Sequence, residues 1–145
     1  MKNIIKSESL TALFADKQNN GGEFTIKSLV TNKDFTFKVA TKKWKGNSYT
    51  HVSVEQGYLQ WNYLGTFFEG KIFSKSGQGT TQSAQAIAWV LNNVQKGKFD
   101  LLNEKVEIMH LGNCVRCGKQ LTDANSIARG LGSECAKYVK ATLVA

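Results

Sequence analysis

"FTFKVATKKWKGNSYTHVSV", residues 35–54, decides the fold class. Apolar side chains recur at every second position, Phe35, Phe37 and Val39 before a break and Val52 and Val54 after it. That period turns one face of an extended chain toward a core and the other toward solvent. The break is Lys-Gly-Asn-Ser at 45–48, whose glycine and asparagine tolerate the positive φ of a tight turn. The reading is a pair of antiparallel strands.

The same pattern extends outward. Phe24 and Ile26 form an earlier run closed by Thr-Asn-Lys-Asp at 31–34, and Leu59, Trp61 and Tyr63 form a later one. Glu-Gln-Gly at 55–57 and Glu-Gly-Lys at 69–71 mark further turns, and with no proline in the chain, glycine and asparagine carry nearly all turn chemistry. "SKSGQGTTQ", residues 74–82, is a flexible connector that lacks the Gly-Lys-Ser/Thr ending of a phosphate loop. Beyond it the period changes to that of a helix, with Ala84, Ile87, Ala88, Leu91 and Val94 on one side, Thr80 or Thr81 as cap and Gly97 as stop. Trp89 flanks this stripe and reads as core. "FDLLNEKVEIMHLG", residues 99–112, predicts a turn or short helix and then a strand over 106–111.

Residues 1–22 read as a leader. Ser9 caps a short helix with Leu10, Leu13 and Phe14 on one side, ended by Asn-Asn-Gly-Gly at 19–22; it either packs on its own domain or docks elsewhere. The expected fold class is α+β: a small antiparallel sheet packed by one main helix, with a C-terminal zinc-knuckle and short-helix module. The expected divisions are 1–22, 23–105 and 106–145.

A length of 145 residues suits one ordinary domain, and 41% hydrophobic with 21% charged residues excludes a disordered chain. No apolar run approaches the roughly 20 residues of a membrane-spanning helix, and "MKNIIKSESL" has no apolar core of secretory length. The expectation is therefore a cytoplasmic protein, in the host cytoplasm if phage-encoded, with reduced cysteines and no membrane partner. A formal charge of +8 points toward an anionic partner, nucleic acid foremost, and equally fits a lysine-rich face that is merely solvated. Only two of the basic residues, Arg116 and Arg129, are arginine.

Cys114 and Cys117 form a Cys-x-x-Cys pair followed by Gly118, the composition of a zinc knuckle: two thiolates at this spacing hold one tetrahedral ion. Cys135 follows Ser133, which can cap a last helix with Ala136, Val139 and Leu143 as its apolar stripe, so the third thiolate sits in a first turn where the helix dipole favours it. His110, four residues before Cys114, completes the expected ligand set of His110, Cys114, Cys117 and Cys135 around Zn2+; His51, in "SYTHVSV", is the alternative fourth ligand. In the spacer "LTDANSIARGLG", Thr122 or Asp123 caps a helical turn, Leu121 and Ile127 anchor it and Gly130 ends it. Four protein ligands make a structural site.

"CVRCGKQLTDANSIARGLGSEC", residues 114–135, resembles the signature of an uncharacterised zinc-binding family of phage and bacterial proteins, and "VEIMHLGNC" extends the likeness through the histidine. Much of that family has proline where this chain has Ser133, a residue that can still cap a helix. The resemblance implies zinc binding and supplies no activity.

Catalysis is not expected. The zinc deaminases pair His-x-Glu with Pro-Cys-x-x-Cys, and neither half is present. There is no Gly-x-Ser-x-Gly elbow, and no small-molecule cofactor is expected. Two functions compete. In the first, the protein binds DNA or RNA: Lys42, Lys43, Lys45, Arg116 and Lys119 contact phosphates and Trp44 stacks on a base, beside Tyr49, Tyr58, Trp61 and Tyr63. In the second it is a protein-interaction module that binds or inhibits a host enzyme or defence complex.

Overall fold

The computed structural model describes residues 3–58, 60–75 and 77–144, the last five by backbone alone. Its architecture is α+β. Strands β1 (Asn3–Ile5), β2 (Glu23–Ser28), β3 (Asp34–Trp44), β4 (Asn47–Glu55), β5 (Trp61–Phe68), β6 (Lys71–Phe73) and β7 (Val106–His110) form one sheet in the order β1-β7-β2-β3-β4-β5-β6. Every neighbouring pair is antiparallel.

The 35–54 stretch forms the expected hairpin. Trp44 pairs with Asn47, and the two residues between them, Lys45 and Gly46, have φ of 50° and 81°, so the turn is of the type I′ kind whose twist matches that of the strands. Phe37, Val39, Val52 and Val54 are buried, as alternation requires. The β4–β5 register slips by one between Val52 and Ser53, leaving Leu64 as an extra residue on β5. The bulge turns Leu64 into the core and leaves both Tyr63 and Thr66 on the outer face, where their hydroxyls lie 3.3 Å apart. Leu59, expected in this run, lies outside the described residues.

Helix α1 (Gln82–Gln95) covers the inner face with Ala84, Ile87, Leu91 and Val94, joined by Val90. Fully burying each of the larger of these side chains contributes about 1.5–3 kcal/mol. Its cap is Thr81, whose hydroxyl accepts from the Ala84 amide at 3.3 Å; Thr80 bonds back to the Gly77 carbonyl instead. A short helix α2 (Phe99–Lys105) leads into β7, and α3 (Ala124–Arg129) and α4 (Ser133–Val144) follow the cysteine pair. The side chain of Leu143 lies outside the described residues.

The N-terminal segment is part of the domain. Residues Ser7–Phe14 wind as a 3-10 helix rather than an α-helix, without a side-chain cap, and bury Leu10 and Leu13. Preceding it, β1 pairs with β7, which itself lies between β1 and β2. A single core therefore runs through all three sequence segments, from Leu10 and Phe24 to Val115, Leu131 and Cys135. Among the described residues, no helix is long and apolar enough to cross a membrane.

Candidate metal centre and sheet face

The cysteine pair sits on a tight ribbon. The Cys114 amide donates to the Lys119 carbonyl at 2.8 Å, the Gly118 amide to the Cys114 carbonyl at 2.9 Å and the Leu121 amide to the Gly112 carbonyl at 2.9 Å. Two outside bonds fix it in place: Val115 donates to the Gly130 carbonyl at 3.0 Å, and its own carbonyl accepts from the Gly22 amide at 3.1 Å. Asp123 caps α3, accepting from the Ser126 amide at 3.0 Å, and Gly130 ends it, so the chain turns directly into α4 with Cys135 in its first turn.

These elements bring the Sγ atoms of Cys114, Cys117 and Cys135 within 4.8 Å of one another. Three metal–sulfur bonds of about 2.3 Å in a tetrahedral set put sulfurs about 3.8 Å apart, so a small inward movement closes the cluster on an ion. Cys114 and Cys135 are buried and Cys117 is exposed. The Cys135 thiol donates to Cys114, and with further donation from the amides of Cys117, Gly132 and Arg116 it outweighs burial and brings Cys114 down to about 4. The partner moves the other way: its bond to Cys114, then burial, hold Cys135 protonated well above the usual thiol range. A cation among the three sulfurs removes that opposition, since each thiolate then faces positive charge.

His110 does not join the cluster, which corrects the expected ligand set. Its ring is buried, at 1% exposure, and both nitrogens are engaged: Nε2 donates to the Ile127 carbonyl at 2.7 Å and Nδ1 accepts from the Gly112 amide at 2.9 Å. The proton on Nε2 and the amide at the Nδ1 lone pair leave no nitrogen open to a metal. The residue instead ties the end of β7 to α3. His51, the alternative, lies on the outer sheet face with Nδ1 2.8 Å from the Tyr63 hydroxyl.

Arg116 requires a second correction. Expected at a phosphate, it is 4% exposed. Its Nε donates to the Ala12 carbonyl at 3.1 Å, one terminal nitrogen to the Lys17 carbonyl at 3.1 Å and the other lies 3.5 Å from Cys135 Sγ, while the guanidinium stacks 4.4 Å from the centre of the Tyr138 ring. The group is spent on holding the N-terminal segment to the knuckle.

The remaining basic candidates divide. Lys42, Lys43, Trp44 and Lys45 share the β3–β4 hairpin tip, where Trp44 is 62% exposed and Lys45 Nζ lies 4.5 Å from its ring centre. Lys42 bonds Asn20 at 2.9 Å and Lys43 pairs with Asp16 at 3.5 Å. Lys119 stands exposed on the knuckle.

The outer face of the sheet carries more than was expected of it. Strand pairing places His51, Thr66 and Phe73 in one row across β4, β5 and β6, with Tyr63 in the pair next to the bulge and Trp61 two residues beyond it. Tyr63 is 49% and Phe73 56% exposed. Lys38 Nζ sits 4.5 Å from the Trp61 ring centre, and Phe68 and Phe73 lie 6.4 Å apart. Lys38, Phe68 and Phe73 were missed as site residues. Alternation was the available signal, because buried Phe37, Phe67 and Ile72 force their neighbours outward.

A family of unknown function (DUF6011) matches residues 107–140, which span most of β7, the knuckle, α3 and the first part of α4. No curated protein and no solved structure matches the chain.

Proposed function

We propose that this protein binds nucleic acid on the outer face of its sheet, as an accessory protein of the phage type whose Cys114, Cys117 and Cys135 hold a structural Zn2+. The observation that carries the reading is the outward placement of Trp61, Tyr63, Phe68 and Phe73 beside Lys38. Strand aromatics ordinarily fill a core, and here the core is complete without them. Flat rings on an open antiparallel face offer stacking surfaces to bases, and lysines beside them offer charge to phosphates. The charge of +8 favours the encounter. The hairpin tip, with Trp44, Lys42 and Lys45, extends the same face.

Zinc suits three clustered thiolates in a segment that holds few large apolar side chains of its own, because metal binding there supplies folding free energy. The role assigned to the ion is structural.

The test is fluorescence anisotropy with labelled single- and double-stranded DNA and RNA over a salt series. Binding that weakens log-linearly with salt supports the reading; no binding at low salt removes it. A second reading, a protein-interaction module, is favoured by a separate feature. Val30 is 72% exposed at the β2–β3 turn, beside an apolar groove of about 450 Å³ walled by Ile26, Phe35, Trp89 and Val106. Capture of a stoichiometric host protein from nuclease-treated lysate, lost with Val30→Asp, would decide for it.

A further inference from the structure

The chain contains three cysteines and two histidines, and neither histidine reaches the thiol cluster. Of the nearby carboxylates, Asp123 is committed to the α3 cap and Glu134 pairs with Lys137 at 3.3 Å. A cavity of about 180 Å³ opens against the cluster, walled by Cys117 and Cys135 together with Lys119, Ser133 and the carboxylate residues Asp123 and Glu134. Cys117 is the exposed member of the three and lies on that wall, whereas Cys114 is buried behind it.

We infer that the fourth coordination position of the metal is filled from outside the chain, through this cavity, by a small anionic donor, a thiolate above all. The inference rests on the reading that the three thiols hold a metal. With no such donor bound, water would take the position. An incoming thiol loses its proton to solvent, its sulfur forms the fourth metal–sulfur bond, and the water leaves; nothing is oxidised or reduced. Soft sulfur donors suit a metal already held by sulfur. A divalent ion with three thiolates carries one net negative charge, and a fourth thiolate adds another. The Arg116 guanidinium, 3.5 Å from Cys135 Sγ, offsets this from the buried side, while on the cavity side Lys119 stands with the Asp123 and Glu134 carboxylates. The cavity admits a small thiol or the side chain of a partner's cysteine.

The experiment uses the full-length protein loaded with Co2+ under a phosphine reductant and titrated with 2-mercaptoethanol. The expected result is a saturable rise of about one third in sulfur-to-cobalt charge-transfer absorption, as three cobalt–sulfur bonds become four, with a matching shift of the visible bands. His110→Gln and Glu134→Gln should leave both the starting spectrum and the titration unchanged. A cobalt spectrum that is tetrahedral from the start and unmoved by millimolar thiol overturns the inference, as does a starting spectrum altered by either substitution. Should His110→Gln not fold, the wild-type titration decides alone. Failure to take up cobalt at all removes the metal reading beneath it, so the two failures are distinct.

Discussion

Arg116 Nε lies 3.1 Å from the carbonyl oxygen of Ala12, a bond between residues 104 apart in sequence. With the bond to the Lys17 carbonyl it pins the N-terminal 3-10 segment to the knuckle, and with Cys135 and Tyr138 it links both to α4. Arg116→Leu therefore removes donors from buried carbonyls and should destabilise the fold by about 3 kcal/mol. Arg116→Lys should recover little of this, since an ammonium cannot present the planar fork. Urea unfolding measures both. Unchanged stability with a large loss of nucleic-acid affinity would instead return Arg116 to the phosphate role first expected of it.

That reversal shows where the sequence stops being legible. Alternation at Phe35, Phe37, Val39, Val52 and Val54 and helical spacing at Ile87, Leu91 and Val94 are local signals, and those elements lie where the periods put them. The three thiols were equally local. By contrast, the partners of Arg116 are carbonyls of a distant segment, and backbone carbonyls leave no mark on a sequence. His110 had the right spacing for a ligand, yet its ring is claimed by the Gly112 amide and the Ile127 carbonyl. The place of β7 between β1 and β2 is likewise set by long-range pairing.

If the three thiols hold the proposed metal, its removal should be felt beyond the knuckle. Cys135 belongs to α4, which packs on the N-terminal 3-10 segment, so chelation should expose amides in α4 and around Leu10 and Leu13 as well as at residues 112–121. Hydrogen exchange with and without chelator checks this. Protection lost only within the knuckle would show that the core does not depend on the ion.

Gly22 is the backbone contact on which the knuckle rests. Its amide donates to the Val115 carbonyl at 3.1 Å, and a Cβ added there would collide with the carbonyl oxygen of Cys114. Because that obstacle is backbone, Gly22→Ala should cost about 1–3 kcal/mol and weaken metal binding by displacing Cys114. Competition with a zinc indicator reads the affinity. An unaltered affinity would mean that the ribbon moves without moving its thiols.

His51 sets a pH dependence. Burial first, then the charge of Lys42, lower its pKa below the ordinary 6.5, and its Nδ1 meets the Tyr63 hydroxyl. The unfolded chain thus binds the proton more readily than the folded one, and stability rises with pH through the interval just below 6.5. On acidification from pH 7 to 5 the protein should lose stability in that interval, and His51→Gln should flatten this part of the profile. Thermal melting at a series of pH values tests it; an identical slope in the variant would assign the dependence elsewhere.

The sheet face should separate binding from folding. Trp61 and Tyr63 are two residues apart on one strand, which spaces their side chains about 7 Å along it, a suitable interval for successive unstacked bases. Each base–aromatic stack contributes about 1–3 kcal/mol, so Trp61→Ala or Tyr63→Ala should weaken binding to single strands roughly 5- to 150-fold. Melting temperature should change little, because neither ring belongs to the buried cluster. Lys38→Gln should act differently: it should weaken binding to all base sequences alike and reduce the salt slope by about 1. Equal losses on single and double strands from all three substitutions would point to a surface read through charge alone, with the rings idle.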